Sequence, residues 1–371
     1  MWPDRRYLDL VGITHPIIQA PMAGANLAAL AIAVSQAGGL GSLPCGMLSV
    51  AAARGELQRL RQQTQAAVNA NFFCHTTPAA DPARDSRWRQ RLSPYYAELG
   101  LEPGAAAGAG RAPFDQAMCA LMLELRPRVV SFHYGLPEAA LLAPLKAAGV
   151  IIQSSATTVA EARWLERHGA DAIIAQGVEA GGHRGMFLGH DLGAQVGTLA
   201  LVPQVVDAVR VPVIAAGAIA DARSIVAALA LGASAVQIGT AYLLCHEVNI
   251  SPAYRAALRT ANDQSTVLTN VFSGRPARSI RNRLISEVGP ISAEAPPFPL
   301  AAAATQALRL GAEARGSGDF SPLLAGQAAA LAREMGAGEL TLALANEART
   351  LLAKLAGARL RDPAPAAHTA P

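Results

Sequence analysis

The chain is poor in charge and in aromatic rings: Asp, Glu, Lys and Arg supply 16% of its 371 residues, and Phe, Trp and Tyr only 5%. Its four cysteines, Cys45, Cys74, Cys119 and Cys245, stand far apart, with no CxxC pair and no metal-ligand spacing. A disulfide scaffold and a zinc ribbon are therefore excluded, and buried thiols in a reducing, cytoplasmic compartment are expected. No apolar run reaches the roughly 18 residues that a membrane span needs. The N-terminal MWPDRRYLDL carries acidic residues and lacks the apolar segment of a signal peptide. The net charge of +4 is small, and the arginines that cause it are scattered without aromatic interleaving. Nucleic acid is thus a poor candidate partner, and a small molecule a better one. The densest basic stretch, RPARSIRNR (275–283), reads as a solvated helix start or a link to a neighbouring acid at least as well as an anion site. GxxxxGK[ST] and GxGxxG are also missing, so neither a nucleoside triphosphate nor a Rossmann-bound dinucleotide is supported.

What the chain does have is apolar content, 51%, dominated by alanine. Short apolar runs closed by glycine or proline recur along it: PIIQAPM (16–22), GGLGSLP (38–44), AAVNANFF (66–73), VVSFHY (129–134), VIIQSSA (150–156), AIIAQG (172–177), PVIAAG (212–217) and AVQIGTAY (235–242). Each has the look of a strand buried on both faces. Helical patterns lie between most of them. LAALAIAVSQAG (27–38) ends on glycine, and TVAEARWLERHGA (158–170) opens on a threonine cap with Glu161 placed for a capping box. DARSIVAALALGA (221–233) repeats that design from Asp221. Eight strand–helix units predict an α/β fold of the (β/α)₈ type, a TIM barrel, with a doubly wound open sheet as the alternative.

Two segments break the rhythm. Residues 74–128 are too long for one crossover and contain GLEPGAAAGAGRAP (100–113), and 246–319 follow the last strand without a barrel role. The expected division is a barrel from 1–78, 113–250 and 320–358, and a smaller, mostly helical cap from 79–112 and 251–319. Apolar helical spacing over 322–356 predicts the closing helix or helices, and 359–371 is expected to be a disordered tail.

The active site of such a barrel lies at the C-terminal ends of its strands. Ala20-Pro21-Met22-Ala23-Gly24 follows the first as a small-residue loop, and the third carries Asn69 and Asn71, which need partners there. His133 ends the fourth, and Gln176 ends the sixth before GVEAGGHRG. Gly217 after the seventh strand and Gly239-Thr240 after the eighth suit a phosphate, which backbone N–H groups hold in this fold. One phosphate beside a planar, amide-lined slot suggests flavin mononucleotide.

These segments also carry a likeness. QAPMAG (19–24), NFF (71–73), SFHYG (131–135), QGVEAGGHRG (176–185), PVIAAGAI (212–219), GASAVQIGTAYLLCHE (232–247), FSGRPAR (272–278) and LLAGQ (323–327) resemble the nitronate monooxygenase family, most closely its bacterial first class. The resemblance spans roughly residues 10 to 330 and implies a barrel holding non-covalent FMN under a smaller domain. It implies FMN contacts at Pro21, Met22, Asn71, Gln176, Gly181, Gly217, Ala218, Gln237, Ile238, Gly239 and Thr240, with His133 as the active-site histidine. The family usually reads AAGGI after strand seven, where this chain has Ala218. Alanine is harmless if φ there is negative and weakens phosphate binding if φ is positive. The implied reaction converts a nitronate such as propionate 3-nitronate, with O₂, to a carbonyl compound and nitrite. His133 would be the general base for a neutral nitroalkane, or hold a preformed nitronate by a hydrogen bond. His183 either faces the substrate or serves the structure, and Arg184 and Glu179 are expected on the surface or in loops. Two other readings stand beside this: an FMN-dependent NAD(P)H:quinone or enoyl-thioester reductase on the same barrel, and a flavin-binding protein with little chemistry.

Overall fold

The computed structural model describes residues 2–102 and 111–357. Most of the stretch 100–113 and the whole segment 359–371 lie outside those residues. Eight parallel strands form the barrel: β1 (Ile17–Gln19), β2 (Gly41–Pro44), β3 (Val68–Phe73), β4 (Val129–His133), β5 (Ile151–Ala156), β6 (Ala172–Gln176), β8 (Val213–Ala216) and β9 (Ala235–Ile238). The intervening β7 (Gly182–His183) lies in the loop after β6. Around the ring the order is β1-β9-β8-β6-β5-β4-β3-β2. A parallel bridge between Ile18 and Leu40 closes it, with Gln19 N–H donating to Leu40 O and Leu40 N–H to Ile17 O, both at 2.9 Å. An open doubly wound sheet would leave β1 and β2 apart, so closure decides between the two architectures.

Every predicted strand therefore forms. Their Val- and Ile-rich runs suit a sheet buried on both faces, and the helices around them bury the outer one. One position shows how tightly the layers meet: a Cβ added at Gly41 would lie 2.0 Å from Ala31 O, on the helix Ala28–Gln36. The bottom of the barrel is stoppered by the N-terminal helix Arg6–Val11, whose Tyr7 and Val11 sit among Ile18, Ile174 and Ile214. Tyr7 Oη donates to Gln153 Oε1 inside the barrel at 2.7 Å. The closing element is one helix, Ala337–Gly357, packed between Ala28–Gln36 and Ala222–Ala230; residues 322–336 before it hold only a short turn at Ala329–Leu331.

The helix from Asp221 opens with a full capping box to Ser224. At Thr158 the cap is only half of one. The threonine side chain accepts from Glu161 N–H, but the Glu161 carboxylate takes the N–H and hydroxyl of Thr157 together with the N–H groups of Phe187 and Leu188. A buried carboxylate needs several donors, and the neighbouring loop supplies more than one helix turn can.

The mostly helical cap also contains a sheet that the sequence did not announce. β10 (Thr266–Thr269) pairs antiparallel with β11 (Ala277–Ile280), and β11 pairs with β7. Within RPARSIRNR, Ala277–Ile280 is accordingly a buried strand, and the helix start is confined to its end, where Asn282 caps the helix Arg283–Val288. Its last arginine, Arg283, does link to acids, Glu98 and Glu287. Helix Pro82–Glu98 shares a core with Ala302–Glu313 through Trp88, Leu92, Tyr96, Leu308 and Ala312, so both irregular segments meet in one layer over the barrel mouth.

Candidate active site

The strand ends and the cap enclose a cavity of about 380 Å³. Pro21, Met22, Asn71, His133, Gln176, Gly181, His183, Gly217, Ala218, Gln237, Gly239 and Thr240 all line it, having been brought together from the ends of six barrel strands. Ile238 does not: its side chain is fully buried in the layer between barrel and helices. Alternation along β9 turns Gln237 to the cavity and Ile238 away.

One side of the cavity has open donors. The N–H groups of Gly217, Ala218, Gly239 and Thr240 donate to no backbone carbonyl among the described residues. Thr240 Oγ1 accepts from Gly326 N–H at 2.9 Å, which leaves its own hydrogen free. A Cβ at Gly217 would lie 2.7 Å from Thr198 Oγ1, so the loop admits no side chain there. Gln237 Oε1 is buried without a partner among the described residues. Asn71 Nδ2 donates to Ser131 Oγ at 2.9 Å, and its Oδ1 takes no donor among them. An anion cradle and two unclaimed amide oxygens fit the phosphate and the donor-bearing ring edge of FMN. Gln176 contributes less than its sequence position suggests. Its Nε2 donates to His183 O at 3.0 Å and its Oε1 accepts from Gly185 N–H at 2.8 Å, so it mainly holds the loop 183–185 in place.

Ala218 stands at φ +54°, next to Gly217 at +117°. The left-handed conformation costs an L-residue about 1 kcal/mol, and here the position needs it. Ala218→Gly is expected to raise stability by up to about 1 kcal/mol and to tighten FMN retention a few-fold, as read by thermal melting and flavin release. Unchanged melting would mean that the loop relaxes when FMN binds.

Across the cavity, His133 is held at both ring nitrogens. Nε2 lies 3.2 Å from the backbone oxygen of His183, and Nδ1 lies 2.7 Å from Ser155 Oγ. A carbonyl oxygen only accepts, so Nε2 carries the proton and Nδ1 accepts from the serine hydroxyl. Burial, the Arg275 charge and the Arg184 charge push the imidazole down to about 3. His133 is thus a neutral Nε2–H donor whose basic lone pair faces Ser155. Gly185 makes room for this ring, since a Cβ there would lie 2.9 Å from His133 Cε1.

Tyr134 follows at φ +74°, a strained position for a bulky residue. Its ring stacks on Phe73 at 5.7 Å and on the Arg275 guanidinium at 3.8 Å, with Phe298 edge-on at 5.4 Å. Arg275 also donates to Met186 O. Phe73, Tyr134 and Arg275 stand in the stretches NFF, SFHYG and RPARSIRNR quoted above, but no role for them, or for Ser155 and Arg111, was legible in the sequence.

Arg184 and Glu179 do stand in the loops after β6, but neither is a free surface residue. Arg184 is fully buried and donates to Gly177 O (2.6 Å), Gln176 O (2.8 Å) and Gln195 Oε1 (2.9 and 3.1 Å). Glu179, half-buried, accepts from Thr198 N–H and Oγ1, both at 2.9 Å, and so caps the helix Thr198–Ala208. His183 lines the cavity, and its Nε2 meets Ser273 Oγ at 2.8 Å. Burial and the charges of Arg111 and Arg275 hold it well below the usual histidine range. Burial, Arg275 and Arg111 likewise push His75 down to about 4.

These three histidines set a pH dependence. They stay neutral when folded but take protons below about pH 6.5 when unfolded, so the unfolded state binds more protons there. Stability is therefore fully present above pH 6.5 and falls as pH drops, by up to about 1.4 kcal/mol per pH unit for each histidine. Urea midpoints at pH 7, 6 and 5 should decline steadily; equal midpoints would contradict the depressed values.

All four cysteines are free, with Cys45, Cys119 and Cys245 buried and Cys74 half-buried. Among the described residues no helix is long and apolar enough to cross a membrane, and no cluster of His, Cys, Asp or Glu could hold a metal ion.

A family model described as nitronate monooxygenase matches residues 5–347. A protein of Pseudomonas aeruginosa named nitronate monooxygenase is 45% identical over 93% of this chain and 99% of its own. Among solved structures, nitroalkane oxidase from Streptomyces ansochromogenes superposes with a TM-score of 0.86 at 39% identity, covering 94% of this chain and 99% of its own. FabK from Thermotoga maritima follows with a TM-score of 0.71 at 30% identity, covering 96% and 99%.

Proposed function

The chain belongs to the nitronate monooxygenase family, a family of flavin-dependent oxidoreductases, and from that premise we propose that it binds FMN and oxidises alkyl nitronates with O₂ to carbonyl compounds and nitrite. The observation that carries this reading is the neutral His133 donor, fixed by Ser155 across the cavity from the open N–H groups of Gly217, Ala218, Gly239 and Thr240. Those amides and Thr240 Oγ1 would hold the phosphate, with Gln237 Oε1 and Asn71 Oδ1 available to the ring. Bound FMN supplies the one-electron redox chemistry toward nitronate and oxygen.

The protein's own residues bind, orient and exclude water. A nitronate oxygen takes the Nε2–H of His133, sharing or replacing its long bond to the His183 carbonyl. The Arg275 charge, stacked on Tyr134, favours an anion at that end. Phe73 lines the cavity near His133, with Tyr134 and Phe298 packed behind it, and this apolar surface strengthens both interactions. The lone pair on Nδ1 is taken by Ser155, so proton abstraction from a neutral nitroalkane would first require a tautomer switch. Preformed nitronates are the better substrates on this geometry.

The reductase alternative is not favoured, because the curated relatives carry the nitronate monooxygenase name at higher identity than FabK shows. Four free cysteines support a reducing, cytoplasmic setting. The deciding experiment follows oxygen consumption and nitrite release by the flavin-loaded protein with propionate 3-nitronate. Rapid turnover is expected; no turnover, together with anaerobic flavin bleaching by NADH, would move the protein to the reductases.

A further inference from the structure

We propose that Thr198 is the positioning residue that turns the Ala218 N–H toward the flavin phosphate, and that this chain depends on it because residue 218 is alanine. The assignment deepens the FMN reading above and rests on it. Thr198 opens the helix Thr198–Ala208, is buried, and stands behind the loop after β8 rather than in the cavity lining. Its Oγ1 lies 2.9 Å from Glu179 Oε2, 3.1 Å from Gly217 O and 3.4 Å from Ala216 O. Bare oxygens at such distances repel, and only the hydroxyl can place a hydrogen between them. Its one hydrogen is therefore shared between the carboxylate and Gly217 O as a three-centre bond. Glu179 in turn fixes the threonine by accepting its N–H at 2.9 Å.

The Gly217–Ala218 peptide is trans, so its C=O and N–H point in opposite directions. With the carbonyl held on Thr198, the N–H is turned away from the helix, to the side on which Ala218 lines the cavity. There it meets no acceptor among the described residues. A rotation of this one peptide plane would exchange the two groups. It would aim a carbonyl oxygen where the phosphate would sit, and it would carry φ of Ala218 from +54° to the negative side.

Alanine favours that flipped form, because the left-handed conformation is unfavourable for an L-residue, whereas glycine is nearly indifferent. Ala218 thus pulls against phosphate binding, and the Thr198 hydroxyl pulls the plane back. Were residue 218 glycine, the same hydroxyl would have little to oppose.

The test compares the release of FMN and of riboflavin, which lacks the phosphate, from the loaded protein, read by the flavin fluorescence that returns on dilution. Thr198→Val keeps the side-chain shape and removes the hydroxyl. It should weaken FMN binding about 3- to 10-fold, the range for one lost hydrogen bond, and leave riboflavin binding within about twofold. Thr198→Ser should restore FMN binding close to the wild type. In an Ala218→Gly background the Thr198→Val loss should shrink to about twofold or less, since glycine removes the pull toward the flipped plane. Equal losses of FMN and riboflavin, or the same FMN loss in both backgrounds, would reduce Thr198 to a packing residue and overturn the proposal. Unchanged FMN binding in Thr198→Val would overturn it as well. A wild type that binds neither flavin would sink the FMN reading itself. Because binding is read without turnover, FMN release as expected in a protein that oxidises no nitronate would sink the proposed reaction and leave the Thr198 assignment standing.

Discussion

Replacing His133 by alanine is expected to lower kcat/KM for a preformed nitronate by about 10- to 100-fold, the worth of a hydrogen bond to a charged group in an enclosed site. Replacement by asparagine should recover most of that loss, because the amide offers an N–H donor of similar reach. This rescue distinguishes a donor from a base: asparagine has no proton affinity to offer, so a general base would show equal losses in both variants. The structure favours the donor, since Nδ1 accepts from Ser155 and Nε2–H, on a long bond to the His183 carbonyl, is the group a ligand can share. Removing the Ser155 hydroxyl should free the tautomer, so Ser155→Ala is the companion variant. It should weaken nitronate oxidation while leaving flavin content intact. In the wild type, kcat/KM for a nitronate should show no ionisation of His133 near pH 6.5, because the group is pushed down to about 3. An enzyme-borne ionisation near 6.5 that vanishes in His133→Asn would contradict the site as described.

The largest stability effect is expected at Arg184. Alanine there removes a fully buried guanidinium and takes its hydrogen bonds from the carbonyls of Gln176 and Gly177 and from Gln195 Oε1. Breaking a buried charged network of this kind costs about 3–5 kcal/mol. The loss also reaches the site. Gln176 holds Gly185 and His183, and His133 packs against Gly185 and bonds the His183 carbonyl. Urea unfolding should show the drop, and the surviving folded protein should release FMN more readily. Arg184→Lys should recover only part, since a single ammonium does not reproduce the fork that serves three acceptors. A change below about 0.5 kcal/mol would place Arg184 on the surface after all.

Arg184 also shows where sequence reasoning ends. In GGHRG it looks like a loop arginine, and arginines are rarely buried without partners. Its partners are two backbone carbonyls and Gln195, and backbone acceptors leave no mark in a sequence. Arg275 is similar. Its run looked like a solvated helix start, but β10 pairs with β11 on one edge and β7, far earlier in the chain, on the other, so Arg275 leads into a strand. Ser155 lay unremarked in an apolar run because nothing local says that its hydroxyl faces an imidazole 22 residues away. Ala218 was visible as a departure from a family pattern, yet only the backbone angle told which of its two consequences holds.

The sequence by itself determined the eight barrel strands, most of their helices, and the gathering of the residues quoted at the strand ends. Those features depend on local periodicity and on glycine and proline punctuation, and in a parallel barrel every strand end necessarily faces the same side. Only the tertiary structure decided what each side chain does there. It closed the ring between β1 and β2, turned Ile238 away, fixed the His133 tautomer through Ser155, and left Arg111 without a counter-charge among the described residues. The physical reason is common to all four: hydrogen bonds and burial are made between residues distant in the chain, and their partners exist only after folding.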